Sequence, residues 1–231
     1  LTSESHDPSR IAVAIISGGL DSSTVLYKLR SEGEEVRALT FLYGQRHERE
    51  VQSAGAICRS LGVDHRLVDL SSLKDLLSSS ALTNVMITVP NVPETSEHYD
   101  TLKTTVVPNR NAILLSVAVG YATSLGASRV YYGAHASDRG VYPDCRPEFV
   151  DALERALRLG TGNESLRIVA PFVDMTKGEV VKLGTRLGVP YSLTWSCYKG
   201  GDKHCGVCSS CRERKHAFVE AGVDDPTEYT V

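Results

Sequence analysis

The chain carries no excess of positive charge: 25 lysines and arginines stand against 28 aspartates and glutamates, a formal net charge of -3. That balance excludes a global basic field able to hold a long nucleic acid and leaves at most a local patch. Long apolar runs are also missing. The longest, residues 112–122, is broken by Ser116 and Gly120, whereas a membrane span needs about 20 residues. Residues 1–10 are polar, include Pro8 and lack the apolar centre of a secretion signal. They are read as a polar leader, and the protein as cytoplasmic, with no membrane partner. In such a reducing compartment its six cysteines point to metal ligation more than to disulfides. Internal repeats and low-complexity tracts are absent. Hydrophobic residues at 42% and charged residues at 23% rule out collagen, coiled coil and wholesale disorder. A length of 231 residues suits one large domain, or one with a small appendage.

What is present opens as β-loop-α-β-α-β. Residues 11–16 are an unbroken apolar run bounded by glycine, the pattern of a buried parallel strand. Ser17-Gly18-Gly19-Leu20-Asp21-Ser22-Ser23 follows at once, then a helical stripe of Val25, Leu26 and Leu29 closed by Gly33. Residues 36–43 and 65–70 read as strands, with a helix at 46–61 between them. This order predicts an α/β fold on a parallel, doubly wound sheet. Further on, residues 111–125 predict a buried helix, 130–134 a strand, and 147–159 an amphipathic helix with Pro147 in its first turn and Gly160 at its end. Thr176 and Glu179 form a capping box for a helix running to Leu187. Residues 78–105 have no period and contain Pro90 and Pro93, so they predict a functional or mobile loop.

The glycine loop carries the first chemistry. Gly18 and Gly19 let the backbone turn sharply and approach a ligand, and the freed N–H groups at a helix start favour an anion. Ser17, Ser22 and Ser23 add hydroxyls. Asp21 would repel a phosphate unless it holds a Mg²⁺ ion bridging to it. Neither G-x-x-x-x-G-K-[ST] nor G-x-G-x-x-G is matched, and plain βα turns also use Gly and Ser. The second signal is C-x7-C-x2-C-x2-C at Cys197, Cys205, Cys208 and Cys211. Four thiolates form a tetrahedral Zn²⁺ set. An Fe–S cluster or a redox dithiol competes, but nothing else suggests electron transfer. A closed set makes the zinc structural, a knuckle tying down the C-terminal tail. Cys58 is expected in the core, and Cys145 in packing or substrate contact.

The S-G-G-x-D-S run resembles the pyrophosphatase loop of the ATP-pyrophosphatase superfamily. That resemblance implies cleavage of ATP between its α and β phosphates. It assigns ATP binding to Ile16, Ser17, Gly18, Gly19, Leu20, Asp21, Ser22, Ser23, Thr24, Val25 and Leu26. Four further runs join it: Tyr43-Gly44-Gln45-Arg46-His47, Val107-Pro108-Asn109-Arg110-Asn111, Tyr142-Pro143-Asp144-Cys145-Arg146-Pro147-Glu148-Phe149 and Thr194-Trp195-Ser196-Cys197-Tyr198. Together, over residues 11 to about 218, they resemble the 7-cyano-7-deazaguanine synthase family. The resemblance implies an adenine nucleotide α-hydrolase-like domain over residues 11–190, with a zinc-binding segment at 191–231 packed on it. It implies a ligase acting on 7-carboxy-7-deazaguanine, ATP and ammonia, releasing AMP and pyrophosphate on the way to an amide and then a nitrile. Mg²⁺ with ATP, one Zn²⁺ per chain, a homodimer and no stable nucleic-acid partner complete what the family implies.

A planar base bearing a carboxylate needs a cation near that group and acceptors along its amino edge. Arg110, Arg146, Lys177 and Lys199 are the candidate cations; Asp138 and Asp144 are the candidate acceptors. Lys177 opens a capped helix, where a cation opposes the dipole unless an anion is near. His47 and His135 are candidate proton carriers. His135 is preferred because it follows a strand's C-terminal end, where ligands of open α/β sheets gather. The catalytic set is therefore Asp21, Lys177, Arg110 and His135. One of Tyr131 and Tyr132 should face the pocket, and Trp195 is expected to pack beside the knuckle. Two other functions remain open at this point: a tRNA-modifying adenylyltransferase of the same superfamily, and a non-catalytic zinc-knuckle module using Lys199, Lys203, Arg212, Arg214 and Lys215 to bind nucleic acid.

Overall fold

The structure, a computed structural model, describes residues 10–93 and 102–231. Nine of the ten leader residues, and residues 94–101 of the long central loop, lie outside the described residues. In chain order the elements are β1 (Ile11–Ile15), α1 (Leu20–Ser31), β2 (Glu35–Leu42), α2 (Arg49–Ser60), β3 (Asp64–Asp69) and α3 (Arg110–Ser124). Then come β4 (Arg129–Tyr131), α4 (Pro147–Thr161), β5 (Arg167–Val169), α5 (Lys177–Arg186) and α6 (Ser209–Ala221). The sheet runs β3-β2-β1-β4-β5 with every pairing parallel. The expected doubly wound α/β sheet is present.

β1 is apolar throughout because both its faces are covered. Ile11 and Val13 pack with Leu114, Leu115, Ala118 and Val119 of α3. Ala12, Ala14 and Ile16 pack with Val25, Leu26 and Leu29 of α1 and with Ala54 and Ile57 of α2. The two-residue period of a strand sends alternate side chains into these two layers. α5 continues the α1 layer, and α6 packs on α5 through a cluster in which the rings of Tyr191 and Phe218 meet edge to face at 5.3 Å. Among the described residues no helix is long and apolar enough to cross a membrane.

Several boundaries differ from those expected. α2 begins at Arg49 rather than Arg46, because residues 43–48 make a turn. Gly44 takes φ 83°, and the Gln45 side chain accepts from the Tyr43 N–H at 2.8 Å and donates to the Phe41 carbonyl at 3.1 Å. α4 runs through Gly160 and stops at Gly162, whose φ of 66° is the left-handed cap. The Thr176–Glu179 capping box forms as expected: Thr176 Oγ1 accepts from the Glu179 N–H at 3.1 Å and Glu179 Oε2 from the Thr176 N–H at 2.8 Å. β5 was not anticipated, since three residues give no period to read. α6 was not anticipated either. It opens Ser-Ser-Cys-Arg-Glu-Arg-Lys, a polar run without an apolar stripe.

The strand order decides where a ligand can bind. β1 pairs with β2 on one side and β4 on the other. The connections leaving β1 and β4 therefore diverge and open a crevice at the carboxyl ends of these strands. A cavity of about 430 Å³ fills that crevice.

Candidate active site and metal centre

The glycine loop forms one end of the cavity. Gly18 has φ 84°, and a Cβ there would lie 2.4 Å from the Glu50 carbonyl oxygen and 2.6 Å from the Ala54 nitrogen. Only glycine lets the loop lie this close to α2. The Ser22 hydroxyl accepts from the Ser17 N–H at 3.1 Å and pairs with the Ser17 hydroxyl at 3.0 Å, closing the turn. Gly19 is the N-cap of α1 and makes no side-chain cap. The first N–H groups of α1 thus remain available for an anion.

Charged side chains from four elements converge beside the loop. Lys177 Nζ lies 3.4 Å from Asp21 Oδ2 and 2.7 Å from Glu213 Oε2. His135 Nε2 stands 3.5 Å from Asp138 Oδ2 and 3.9 Å from both Asp21 Oδ2 and Glu213 Oε1. Burial by itself would lower the Lys177 ammonium, but Asp21, Glu213 and Asp138 around it hold it above the usual lysine range. Burial raises Asp138 above the usual carboxylate range. Asp21 Oδ1 and His135 Nδ1 are buried without a hydrogen-bond partner.

The rest of the cavity is largely aromatic. Phe41, Tyr43, Tyr132, Tyr142 and Tyr198 line it, together with Arg110, Glu50 and Cys145. Arg110 Nη1 donates to the Tyr43 hydroxyl at 3.3 Å, and its guanidinium lies 5.8 Å from the centre of that ring. Burial pushes the Cys145 thiol far up, and Asn111 Nδ2 sits 3.2 Å from its sulfur, so it is no ready nucleophile.

The sulfurs of Cys197, Cys205, Cys208 and Cys211 lie within 4.8 Å of one another. A tetrahedral metal with metal–sulfur distances of about 2.3 Å fits sulfurs this close. None of the four is in a disulfide. Backbone N–H groups of Cys205, Val207 and Cys208 point at Cys197 or Cys205 sulfur at 3.3–3.5 Å, which favours thiolates. Cys208 is the N-cap of α6 and Cys211 lies in its first turn, so the C-x2-C step sets both sulfurs at one helix start. The preceding strap is joined to the glycine loop by the Trp195 N–H, which donates to the Gly18 carbonyl at 2.9 Å. Arg214 of α6 is wholly buried; it donates to Thr194 Oγ1 at 2.8 Å and the Tyr191 carbonyl at 3.0 Å, and pairs with Asp225 at 3.1 Å.

Of the residues named from the sequence, Ile16, Ser17, Gly19, Leu20, Asp21, Ser22, Arg110, His135, Asp138 and Lys177 line the cavity. Ser23, Thr24, Val25 and Leu26 are buried in α1 behind the loop. Three face other partners. Asp144 Oδ2 accepts from the Asn111 N–H at 2.9 Å near the start of α3, Arg146 Nε donates to the Arg139 carbonyl at 3.0 Å, and Lys199 binds Asn91 Oδ1. Tyr132 is the pocket-facing member of its pair, while Tyr131 packs under the other layer. Trp195 does both: Nε1 donates to the Cys197 carbonyl at 2.8 Å and the ring also lines the cavity. His47 packs edge-on against Trp195, 6.1 Å between centroids, and burial lowers it. Glu213 and Glu50 also line the cavity and belong to no motif of the sequence. Glu213 sits two residues past the last cysteine, on the helix that composition concealed, and Glu50 lies three residues past the Tyr43–His47 run.

A parallel sheet wound 3-2-1-4-5, with a glycine loop and a buried lysine at its switch point, defines an adenine nucleotide α-hydrolase-like α/β protein. Its fold is shared with NMN synthetase from Francisella tularensis, at a TM-score of 0.54 and 16% identity over 94% of this chain and 79% of that one. It is likewise shared with a predicted subunit of a tRNA methyltransferase from Methanocaldococcus jannaschii, at a TM-score of 0.52 and 15% identity, covering 93% and 89%. The family described as queuosine biosynthesis protein QueC matches residues 11–222, and the chain belongs to it. A relative from Archaeoglobus fulgidus, named 7-cyano-7-deazaguanine synthase, is 51% identical over 93% of this chain and 88% of its own length. A relative of the same name from Caldicellulosiruptor bescii is 49% identical, covering 95% and 97%.

Proposed function

We propose that this protein is an ATP-dependent carbon–nitrogen ligase that converts 7-carboxy-7-deazaguanine and ammonia to 7-cyano-7-deazaguanine. The observation that carries this is the meeting of the glycine loop, Lys177 and an aromatic, Arg110-bearing wall in one cavity, in a chain about half identical to relatives of that name.

A carboxylate does not react with ammonia until one oxygen becomes a leaving group. Its oxygen attacks the α phosphorus of ATP, the α–β bridge breaks, and pyrophosphate departs. The N–H groups at the start of α1 and the Ser17 and Ser22 hydroxyls hold that pyrophosphate, and Lys177 offsets its charge. Arg110 is the cation for the base's carboxylate. Ammonia then attacks the acyl carbon, AMP leaves, and the nitrogen loses a proton to give the amide. His135 Nε2, held between carboxylates, is the group that takes up such a proton. The amide oxygen attacks the α phosphorus of a second ATP and a second pyrophosphate departs; loss of AMP and of both remaining nitrogen protons leaves the nitrile.

Mg²⁺ fits Asp21, whose Oδ1 lacks a partner, and would neutralise phosphate charge there. Zn²⁺ fits the four thiolates as a structural cross-link between the strap at 195–198 and α6. The six cysteines outside disulfides agree with a cytoplasmic, reducing setting, and the family resemblance adds a homodimer. A nucleic-acid module is disfavoured because the basic residues near the knuckle are engaged. Lys203 pairs with Glu228 at 2.9 Å, Arg214 is buried, and Lys215 lies over Tyr229 at 4.3 Å. The test incubates the purified chain with ATP, Mg²⁺, ammonium and 7-carboxy-7-deazaguanine. Mass spectrometry should find the nitrile with AMP and pyrophosphate, whereas ADP and phosphate would refute the proposal.

A further inference from the structure

Glu50 stands in the first turn of α2 and lines the cavity together with Arg110 and Tyr43. Among the described residues its carboxylate enters no hydrogen bond and no ion pair, although Arg110 is near enough for its charge to be felt. A helix start favours an acid, yet such acids usually reach open solvent. Glu50 instead faces the cavity, partly buried, and desolvation there pushes its carboxyl up to about 7. A carboxylate that is desolvated and has no protein partner is costly, which makes a ligand the natural partner for it.

Among the described residues the cavity's other carboxylate and amide side chains already have protein partners, and its buried polar atoms without one are Asp21 Oδ1, His135 Nδ1 and the Tyr132 hydroxyl. Asp21, Asp138 and Glu213 gather around Lys177 and His135. The Gln45 amide is used on both sides by the backbone of Tyr43 and Phe41. Asn111 Nδ2 is held by the Asp144 carbonyl at 3.2 Å and by Cys145. Among the described residues Glu50 is therefore the cavity's one carboxylate outside the lysine cluster. Aromatic side chains line the same cavity, as a flat heterocycle requires.

Resting on the substrate proposed above, we infer that Glu50 is the specificity-determining residue for the base. Its two oxygens accept hydrogen bonds from the ring N–H and the exocyclic amino group of the guanine-type edge. Two donors side by side match one ionised carboxylate. The adenine of ATP offers a donor beside an acceptor and does not match it.

Steady-state kinetics of the full-length chain with Glu50→Gln and Glu50→Asp test this. Glu50→Gln should raise KM for 7-carboxy-7-deazaguanine roughly 30-fold or more, the worth of a charged hydrogen-bond pair, and leave KM for ATP within about threefold. Glu50→Asp should recover part of the loss. A substrate analogue without the 2-amino group should be turned over poorly by wild type, and the two bases should become nearly equal for Glu50→Gln. Melting temperature separates this from a packing role: Glu50→Gln should melt no lower than wild type at pH 8. An unchanged KM for the base overturns the inference, as does a rise confined to ATP, or a lower melting temperature with both KM values rising together. If wild type itself forms no nitrile, the proposed reaction fails and this inference with it. If wild type forms nitrile and Glu50→Gln binds the base normally, the inference alone fails.

Discussion

Gly133 offers a direct probe of whether the loop after β1 holds ATP. It follows β4, and its backbone lies against the glycine loop from the opposite side of the switch point. A Cβ built there would stand 2.9 Å from the Ser22 nitrogen, 3.1 Å from the Asp21 carbonyl carbon and 3.2 Å from Asp21 Cβ. Gly133 is not among the glycines with positive φ, so alanine introduces contact without backbone strain. Two of the three obstructing atoms are backbone, which cannot swing aside as a side-chain tip can. Restoring ordinary contact at 3.4 Å requires the loop to move by about 0.5 Å. Overpacking of this kind costs about 1–3 kcal/mol, and for a chain this size each kcal/mol lowers the melting temperature by about 2–4 °C. A reacting group displaced by 1 Å loses about 100-fold in rate, so half that shift should cost roughly tenfold in kcat. Pyrophosphate release and thermal melting of Gly133→Ala are measured beside Gly120→Ala. Gly120 is exposed in α3 with nothing within 4 Å of its Cβ position. The control should gain up to about 1 kcal/mol in stability and keep its activity. Wild-type kcat in Gly133→Ala would refute the assignment of phosphate binding to this loop.

Three further outcomes are expected. Lys177→Met should lower kcat/KM for ATP by roughly 100-fold or more, measured by pyrophosphate release; a value within threefold of wild type removes Lys177 from the phosphates. Cys208→Ser, or prolonged chelation, should release one metal ion per chain and lower the melting temperature. It should also change the emission of Trp195, the chain's single tryptophan, whose ring lies 4.2 Å from that of His204. Full metal occupancy by mass spectrometry of the variant contradicts the site. For Glu50, the folded carboxyl at about 7 lies above its ordinary 4.5 because burial disfavours its charge. The folded state then binds a proton that the unfolded state has lost, so stability falls as pH rises from 4.5 towards 7. At full ionisation the loss is on the order of 3 kcal/mol. Denaturant titrations at pH 5.5 and 8 should show Glu50→Gln gaining on wild type at the higher pH; parallel behaviour rejects the desolvated carboxylate.

The parts of the site that were legible from residues alone are those made locally. A buried strand, two glycines and a helix start are contiguous, so the phosphate loop could be read without knowing any distant contact. Likewise C-x2-C steps confine two sulfurs to one turn, and the Thr176–Glu179 box closes within four residues. Lys177 was singled out by a local conflict, a cation at a positive helix end, and the structure supplies the anions that resolve it in Asp21 and Glu213. Glu213 could not be found this way. It lies on a helix whose buried face, Cys211, Arg214, Ala217 and Phe218, contains a thiol and a buried charge and so does not read as an apolar stripe.

Asp144, Arg146 and Lys199 mark the other side of that limit. Each has the right charge for a base-binding role, but charge says nothing of direction. Asp144 is taken up by the Asn111 N–H near the start of α3, Arg146 by the Arg139 carbonyl and Lys199 by an asparagine. Glu50, one more acid on a polar helix face by sequence, lines the cavity from the turn of α2 that lies against Gly18. Periodicity, caps and spacing are properties of neighbouring residues, and they were enough for the α/β sheet, the phosphate loop and the thiolate set. Which charges meet across the cavity depends on strands and helices distant in the chain, brought together by the 3-2-1-4-5 winding of the sheet; only the packed structure selects them.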